Sequence, residues 1–200
     1  LLDRKLAVKE IEDATQLHNL KKGVLVLPSA VALSEEERAE ILAFRAKGGA
    51  ILTTWATGTR NGKGDWEGWQ FLETLGAKVL GEIPSAAEVN HLILTGESPV
   101  SHSHPAGQRI GLGKTSESLL RATGEVVAGR FMNWARITET ERRDGGAIVY
   151  TKASGDAGRV AIFALDESTW GSRPLAANVF TDDTIQWVQR EPAIVIAAWS

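Results

Sequence analysis

KKGVLVLPSAVALSEEERAEILAFRAKGGAILTTWATG, residues 21–58, holds a strand, a helix and a second strand at the spacing of a parallel β-α-β unit. Val24-Leu25-Val26-Leu27 is a continuous apolar run of strand length, as expected where both faces of a strand are buried in a parallel sheet. Pro28-Ser29 closes it. Ser34-Glu35-Glu36-Glu37 is a capping box, in which the Ser34 hydroxyl accepts from the Glu37 amide and the Glu37 carboxylate reaches back. The helix is predicted over about Glu35 to Lys47, with acidic residues at its positive end, Lys47 at its negative end and Gly48-Gly49 as a left-handed stop. Ala50-Ile51-Leu52-Thr53-Thr54 is the second buried strand, joined to the first by a right-handed crossover.

Outward from this unit the same architecture continues upstream. Leu6 to Ile11 reads as a short strand and Leu1 to Lys5 as the tail of a preceding helix, so a first strand is expected to be missing from this sequence. Downstream, Trp69, Leu72 and Leu75 stand at helical spacing, predicting a helix from Trp66 to Leu75 that stops at Gly76. The middle of the chain changes character. Segments His91 to Leu94, Gln108 to Leu112, Ser118 to Ala122, Val126 to Ala128 and Met132 to Ile137 are short and separated by glycine, proline and polar turns, which predicts strands rather than another β-α-β unit. Ala147 to Lys152 and Arg159 to Leu165 form a predicted hairpin about the turn 153–158. A last helix is expected around Asp182 to Arg190, and Ala193 to Ala198 is a closing strand or a linker. The fold class is therefore α/β: an open, mostly parallel, flavodoxin-like three-layer sheet, one domain over residues 1–200, with a β-rich insertion or extension at 85–150.

Composition narrows the function classes. Charged residues make up 24% and net charge is -3, with no basic run beyond two residues, so no footprint for nucleic acid is present. No apolar stretch reaches the roughly 18 residues of a membrane span. Cysteine is absent, which excludes thiol catalysis, disulfides and thiolate metal sites in this chain. That absence slightly favours an extracytoplasmic location, although cytosolic domains also lack cysteine. Seven tryptophans against one tyrosine raise the alternative of sugar stacking, beside the ordinary role of tryptophan in cores and rims.

The run Val24 to Ser29, Leu33-Ser34 opening an acidic helix, and Gly48 to Thr53 resemble the class I glutamine amidotransferase-like domain of the β-galactosidase trimerisation type. Thr57-Gly58, Leu75-Gly76-Ala77 and Gly158 to Phe163 continue the resemblance, which is good over Leu6 to Leu80 and loose beyond. It implies an accessory domain of a glycosidase or another large carbohydrate-related or envelope protein. The tail Trp187 to Trp199 is similar to the junction preceding polysaccharide deacetylase-like catalytic domains. True amidotransferases place a cysteine in the sharp turn after the strand that is here Ala50 to Thr54. The sequence there is Thr54-Trp55-Ala56-Thr57-Gly58, without a thiol, and a threonine would need a base to act as nucleophile. Glutamine hydrolysis by the family mechanism is thus excluded, and no catalytic residue can be named.

Three stretches remain as candidate chemistry. Residues 58–65, beyond the carboxyl end of a central strand where open α/β sheets take ligands, carry glycines with Arg60 and Lys63. With Trp55, Thr57 and Trp66 they form the candidate ligand site, against the plainer reading of a flexible loop; the spacing matches neither a dinucleotide fingerprint nor a Walker loop. His102 and His104, at alternate positions, could hold a metal with Glu97, against the reading of a solvated loop between Pro99 and Pro105. Asp166-Glu167 are adjacent, and adjacent residues of an extended segment face opposite ways, so they are not a glycosidase pair by themselves.

The function expected is a non-catalytic accessory or interaction module, with no cofactor. Its partners are other domains of a parent protein or a second copy, the more so if a lost first strand leaves an open sheet edge. The alternatives are a carbohydrate-binding domain attached to a deacetylase or glycoside hydrolase, and a hydrolase with an unrecognised, metal-assisted site.

Overall fold

The structure is a computed structural model that describes residues 8–20, 22–83, 89–96, 104–112, 119–135, 138–141, 143–165 and 194–197. Its elements in chain order are β1 (Val8–Ile11), a 3-10 helix (Ala14–Asn19), β2 (Val24–Leu27), α1 (Glu35–Ala46), β3 (Ala50–Thr54), α2 (Gln70–Leu75) and β4 (Lys78–Ile83). There follow β5 (His91–Leu94), β6 (Arg109–Gly111), β7 (Leu119–Thr123), β8 (Val126–Ala135), β9 (Thr138–Glu141), β10 (Ile148–Thr151), β11 (Val160–Phe163) and β12 (Ile194–Ala197).

Among the described residues ten strands make one sheet, ordered β1-β12-β2-β3-β11-β10-β8-β5-β6, with β9 also on β8; β4 and β7 form a separate antiparallel pair. The sheet has two halves. From β1 to β11 every pairing is parallel, with Val24 opposite Ala50 and Ile51 opposite Val160. From β11 onward every pairing is antiparallel. The open α/β sheet with a β-rich second half is therefore present.

The deciding unit forms as its residues dictate. All side chains of β2 and β3 are buried, which is why both are apolar without alternation. The Ser34–Glu37 capping box is complete, with the Ser34 N–H donating to the Glu37 carboxylate at 2.6 Å and the Glu37 N–H to the Ser34 hydroxyl at 3.2 Å. Gly48, at φ +98°, turns the chain out of α1. Ile41 and Phe44 are the buried residues of α1. The helical elements pack together: His18 Nε2 lies 3.1 Å from the Glu40 carboxylate, and Arg45 Nη1 donates to the Thr74 carbonyl at 3.3 Å. Burial holds the Arg45 guanidinium below its ordinary pKa. The helix expected at Asp182 to Arg190 lies outside the described residues, as does Leu1 to Lys5.

Several elements differ from expectation. The predicted helix Trp66–Leu75 begins at Gln70, because Arg60 and Trp66 make an antiparallel bridge and the Glu67 N–H donates to the Thr59 carbonyl at 2.8 Å. The segments Val126–Ala128 and Met132–Ile137 join in one long strand, β8, as far as Ala135; Arg136 and Ile137 lie outside the described residues. Gly129 reads as a break in sequence, yet it admits the side chains of Ile148 and Leu92 against the strand backbone. β4 and β9 are additional strands; Gly81, at a register shift in the β4–β7 pair, hides the alternation of Lys78–Ile83. Ala193 to Ala198 contains a strand, β12, which slots between β1 and β2.

Candidate functional site

The carboxyl ends of β2, β3 and β11 lie side by side, where open α/β sheets bind ligands. Ser29 and Trp55, the first or second residues past β2 and β3, have φ of +47° and +41° and are the only non-glycine residues with positive φ among those described. Such conformations cost about 1–3 kcal/mol and persist where surroundings over-determine them. The surroundings here are hydrogen bonds. The Ser29 N–H donates to Thr54 Oγ1 at 2.7 Å, and the two hydroxyl oxygens are 3.3 Å apart. The Trp55 N–H is shared between the carbonyls of Phe163, at 2.7 Å, and Leu165, at 3.2 Å. Further along the turn, the Gly58 N–H donates to the Ala30 carbonyl at 2.8 Å.

Thr57 is fully buried, and its hydroxyl donates to the Thr54 carbonyl at 2.7 Å. It pins the turn from below rather than facing outward. Thr59 repeats the motif onto the Ala56 carbonyl at 2.7 Å.

Beyond this turn, residues 58–66 form a compact loop with its own bonding, unlike the flexible loop that composition suggests. Asn61 accepts from the amides of Lys63, at 2.9 Å, and Asp65, at 3.0 Å, through Oδ1. Arg60 Nη1 donates to the Gly64 carbonyl at 2.7 Å, so this guanidinium clasps its own loop. Arg38 ties the loop to α1 through Glu67 and the Arg60 carbonyl. Lys63 is exposed. Trp55 is half-buried against the core, whereas Trp66 is 53% exposed and meets Trp69 edge to face at 5.0 Å. The structure thus brings Trp55, Thr57, Arg60, Lys63 and Trp66 onto one connected segment, with Arg60, Lys63 and Trp66 on its surface.

The candidate metal ligands are not assembled in the described part. His102 and Glu97 lie outside the described residues, and His104 sits in the loop before β6 with Nδ1 at 3.1 Å from Gln108 Oε1. No cluster of three or more His, Cys, Asp or Glu residues suited to a metal occurs among the described residues. Asp166 and Glu167 also lie outside them.

No family model matches the sequence, and no curated protein matches it either. Solved structures do match. A β-galactosidase from Bacillus circulans sp. alkalophilus superposes with a TM-score of 0.55 at 14% identity, over 82% of this chain and 23% of that one. A polyextremophilic β-galactosidase from the Antarctic haloarchaeon Halorubrum lacusprofundi gives 0.56 at 12% identity, over 80% of this chain and 21% of that one. A cytoplasmic protein of Salmonella typhimurium gives 0.56 at 12% identity, over 90% of this chain and 76% of that one. The fold is therefore one found within β-galactosidase chains, of which this chain spans only 21% to 23%.

Sequence reasoning missed two groups of residues. The Ser29–Thr54 hydroxyl pair joins adjacent strand ends, and each residue alone reads only as punctuation. Arg130, Glu141 and Arg143 converge on the antiparallel half; the charge cluster Glu141-Arg142-Arg143-Asp144 was the available signal. None of the described helices is long and apolar enough to cross a membrane.

Proposed function

We propose that this chain is a non-catalytic, amidotransferase-like accessory or interaction module of a larger carbohydrate-related or envelope protein, a single domain in which residues 85–150 are a β-rich elaboration. The observation that carries the reading is the turn after β3. Trp55 stands where an amidotransferase would need its nucleophile, in the left-handed conformation that such a turn imposes. An oxyanion hole also needs N–H donors aimed at a reacting atom. Here the N–H groups of Ser29, Trp55 and Gly58 all donate to the protein itself. The likeness to β-galactosidase chains, each several times longer than this one, supports placement within a larger protein. Its partners are then other domains of that protein or a second copy.

The test is turnover of glutamine, of chromogenic galactosides and of simple esters, by the chain as it stands and by Thr54→Val and Ser29→Ala. The proposal expects no turnover by any of them. Turnover that falls in either variant while the fold is retained would overturn it.

A carbohydrate-binding role is the second reading, favoured by one observation: Trp66 is exposed and is buttressed by Trp69, with Lys63 on the same loop. An exposed, braced indole suits stacking on the apolar face of a sugar ring. Titration of β-linked oligosaccharides against tryptophan fluorescence checks it, with Trp66→Ala expected to abolish any saturable change.

A further inference from the structure

The antiparallel half has a face of its own. β5 lies between β6 and β8, with Ile93 opposite both Arg109 and Arg130, so these three side chains share one face of the sheet. The opposite face carries Leu92, Leu94, Ile110 and Phe131, all in the core. On the outer face a depression of about 420 Å³ is lined by Ile93, Thr95, Gly107, Arg130, Glu141 and Arg143. That volume is in the range of small-ligand sites, about 300–1,000 Å³.

Glu141 organises the charge in it. Its Oε1 accepts from Arg130 Nη1 at 3.0 Å, and its Oε2 lies 3.5 Å from Arg143 Nε. Two guanidiniums thus share one carboxylate, leaving a net charge of +1 in a concave site. Each guanidinium contacts Glu141 through a single nitrogen, so most of the donors of each fork have no partner among the described residues. Arg130 and Glu141 are held: their side chains are 33% and 23% exposed and they stand on paired strands, whereas Arg143 is 82% exposed and able to close over a ligand. A lone surface ion pair contributes only about 0–1 kcal/mol to stability, and it does not call for a second arginine on the same carboxylate.

We propose that this depression is a binding site for an oxyanion, a carboxylate or phosphate group, carried on a small polyhydroxylated ligand. The free faces of Arg130 and Arg143 take the anion as charge-assisted forks. Glu141 and the backbone near Thr95 and Gly107 take adjacent hydroxyl groups, and Ile93 forms the apolar floor. The site lies on the antiparallel half and does not depend on the role of the turn at Trp55.

The experiment is a titration of the whole chain, followed by heteronuclear NMR at low ionic strength, with glucuronate, glucose 6-phosphate, inorganic phosphate and neutral glucose. Saturable shifts confined to residues around Arg130, Glu141 and Arg143 are expected with one or both acids and not with glucose. Preference for glucuronate or for the phosphates assigns the source of the anion. Arg143→Gln, at an exposed position where folding is not at risk, and Arg130→Gln should each weaken binding at least tenfold. Glu141→Gln should tighten inorganic phosphate binding, because the net charge of the site rises, while weakening the sugar acids relative to it. Affinity unchanged in both arginine variants, equal binding of glucose, or no saturable shift at millimolar acid would each overturn the proposal.

Discussion

The two halves of the sheet use their polar groups in opposite ways. In the parallel half the carboxyl ends of β2 and β3, the usual ligand edge of such folds, are closed by the protein: hydroxyls of Ser29, Thr54 and Thr57 and the amides beside them bond one another and nearby carbonyls. In the antiparallel half the outer face holds two arginines on one glutamate around an open depression. The lesson is that retaining a fold's ligand edge and retaining its ligand chemistry are separate matters. Strained backbone at Ser29 and Trp55 is held in place by hydrogen bonds.

The largest effect is expected where β11 enters the parallel half beside β3. A Cβ on Gly158 would fall on the carbonyl of Gly49, a backbone group with no room to yield, and the Gly158 N–H donates to the Arg45 carbonyl at 2.8 Å. Gly158→Val should therefore cost about 3 kcal/mol or more, seen as a large loss in urea midpoint. A mild effect would mean that the start of β11 is not packed against the α1–β3 connection.

Next comes the closed edge itself. Thr54→Val removes the acceptor of the Ser29 N–H from a buried position, which should cost about 1–3 kcal/mol by the same measurement. Ser34→Ala breaks the capping box of α1 and should cost about 1 kcal/mol, a purely local effect in the parallel half.

The smallest effect is electrostatic. The Asp13 carboxylate is held below its ordinary pKa, chiefly by the Thr15 backbone N–H at 2.8 Å. A depressed folded-state pKa stabilises the fold above the unfolded value, about 3.9, and the contribution is lost as pH falls through the folded value. Asp13→Asn should keep the cap while slightly flattening the acid limb of a Tm-against-pH curve.

How much of this was legible in the sequence divides along the same line. The unit from Val24 to Thr54 was readable because each signal is local: a continuous apolar run, a four-residue capping box, a double glycine. The antiparallel half was readable as strands but not as a sheet, because pairing partners are distant and Gly81 and Gly129 interrupt the alternation that marks a strand. β12 was ambiguous because its place between β1 and β2 is set by two strands more than 160 residues upstream. For the site, residues 58–66 were found by their position after β3. Their bonding was not, since Asn61 as an organiser and Arg60 as a clasp depend on loop geometry. The Ser29–Thr54 pair spans 25 residues, and no local pattern announces it.

Amide hydrogen exchange at Ser29, Trp55 and Gly58 decides whether the ligand edge of the parallel half is closed by the protein's own hydrogen bonds. These amides, although they lie beyond the strand ends, should be protected to the same degree as the interior amides of β3. Exchange at the rate of solvent-exposed loop amides would contradict it, and would mean that these donors are available to a ligand after all.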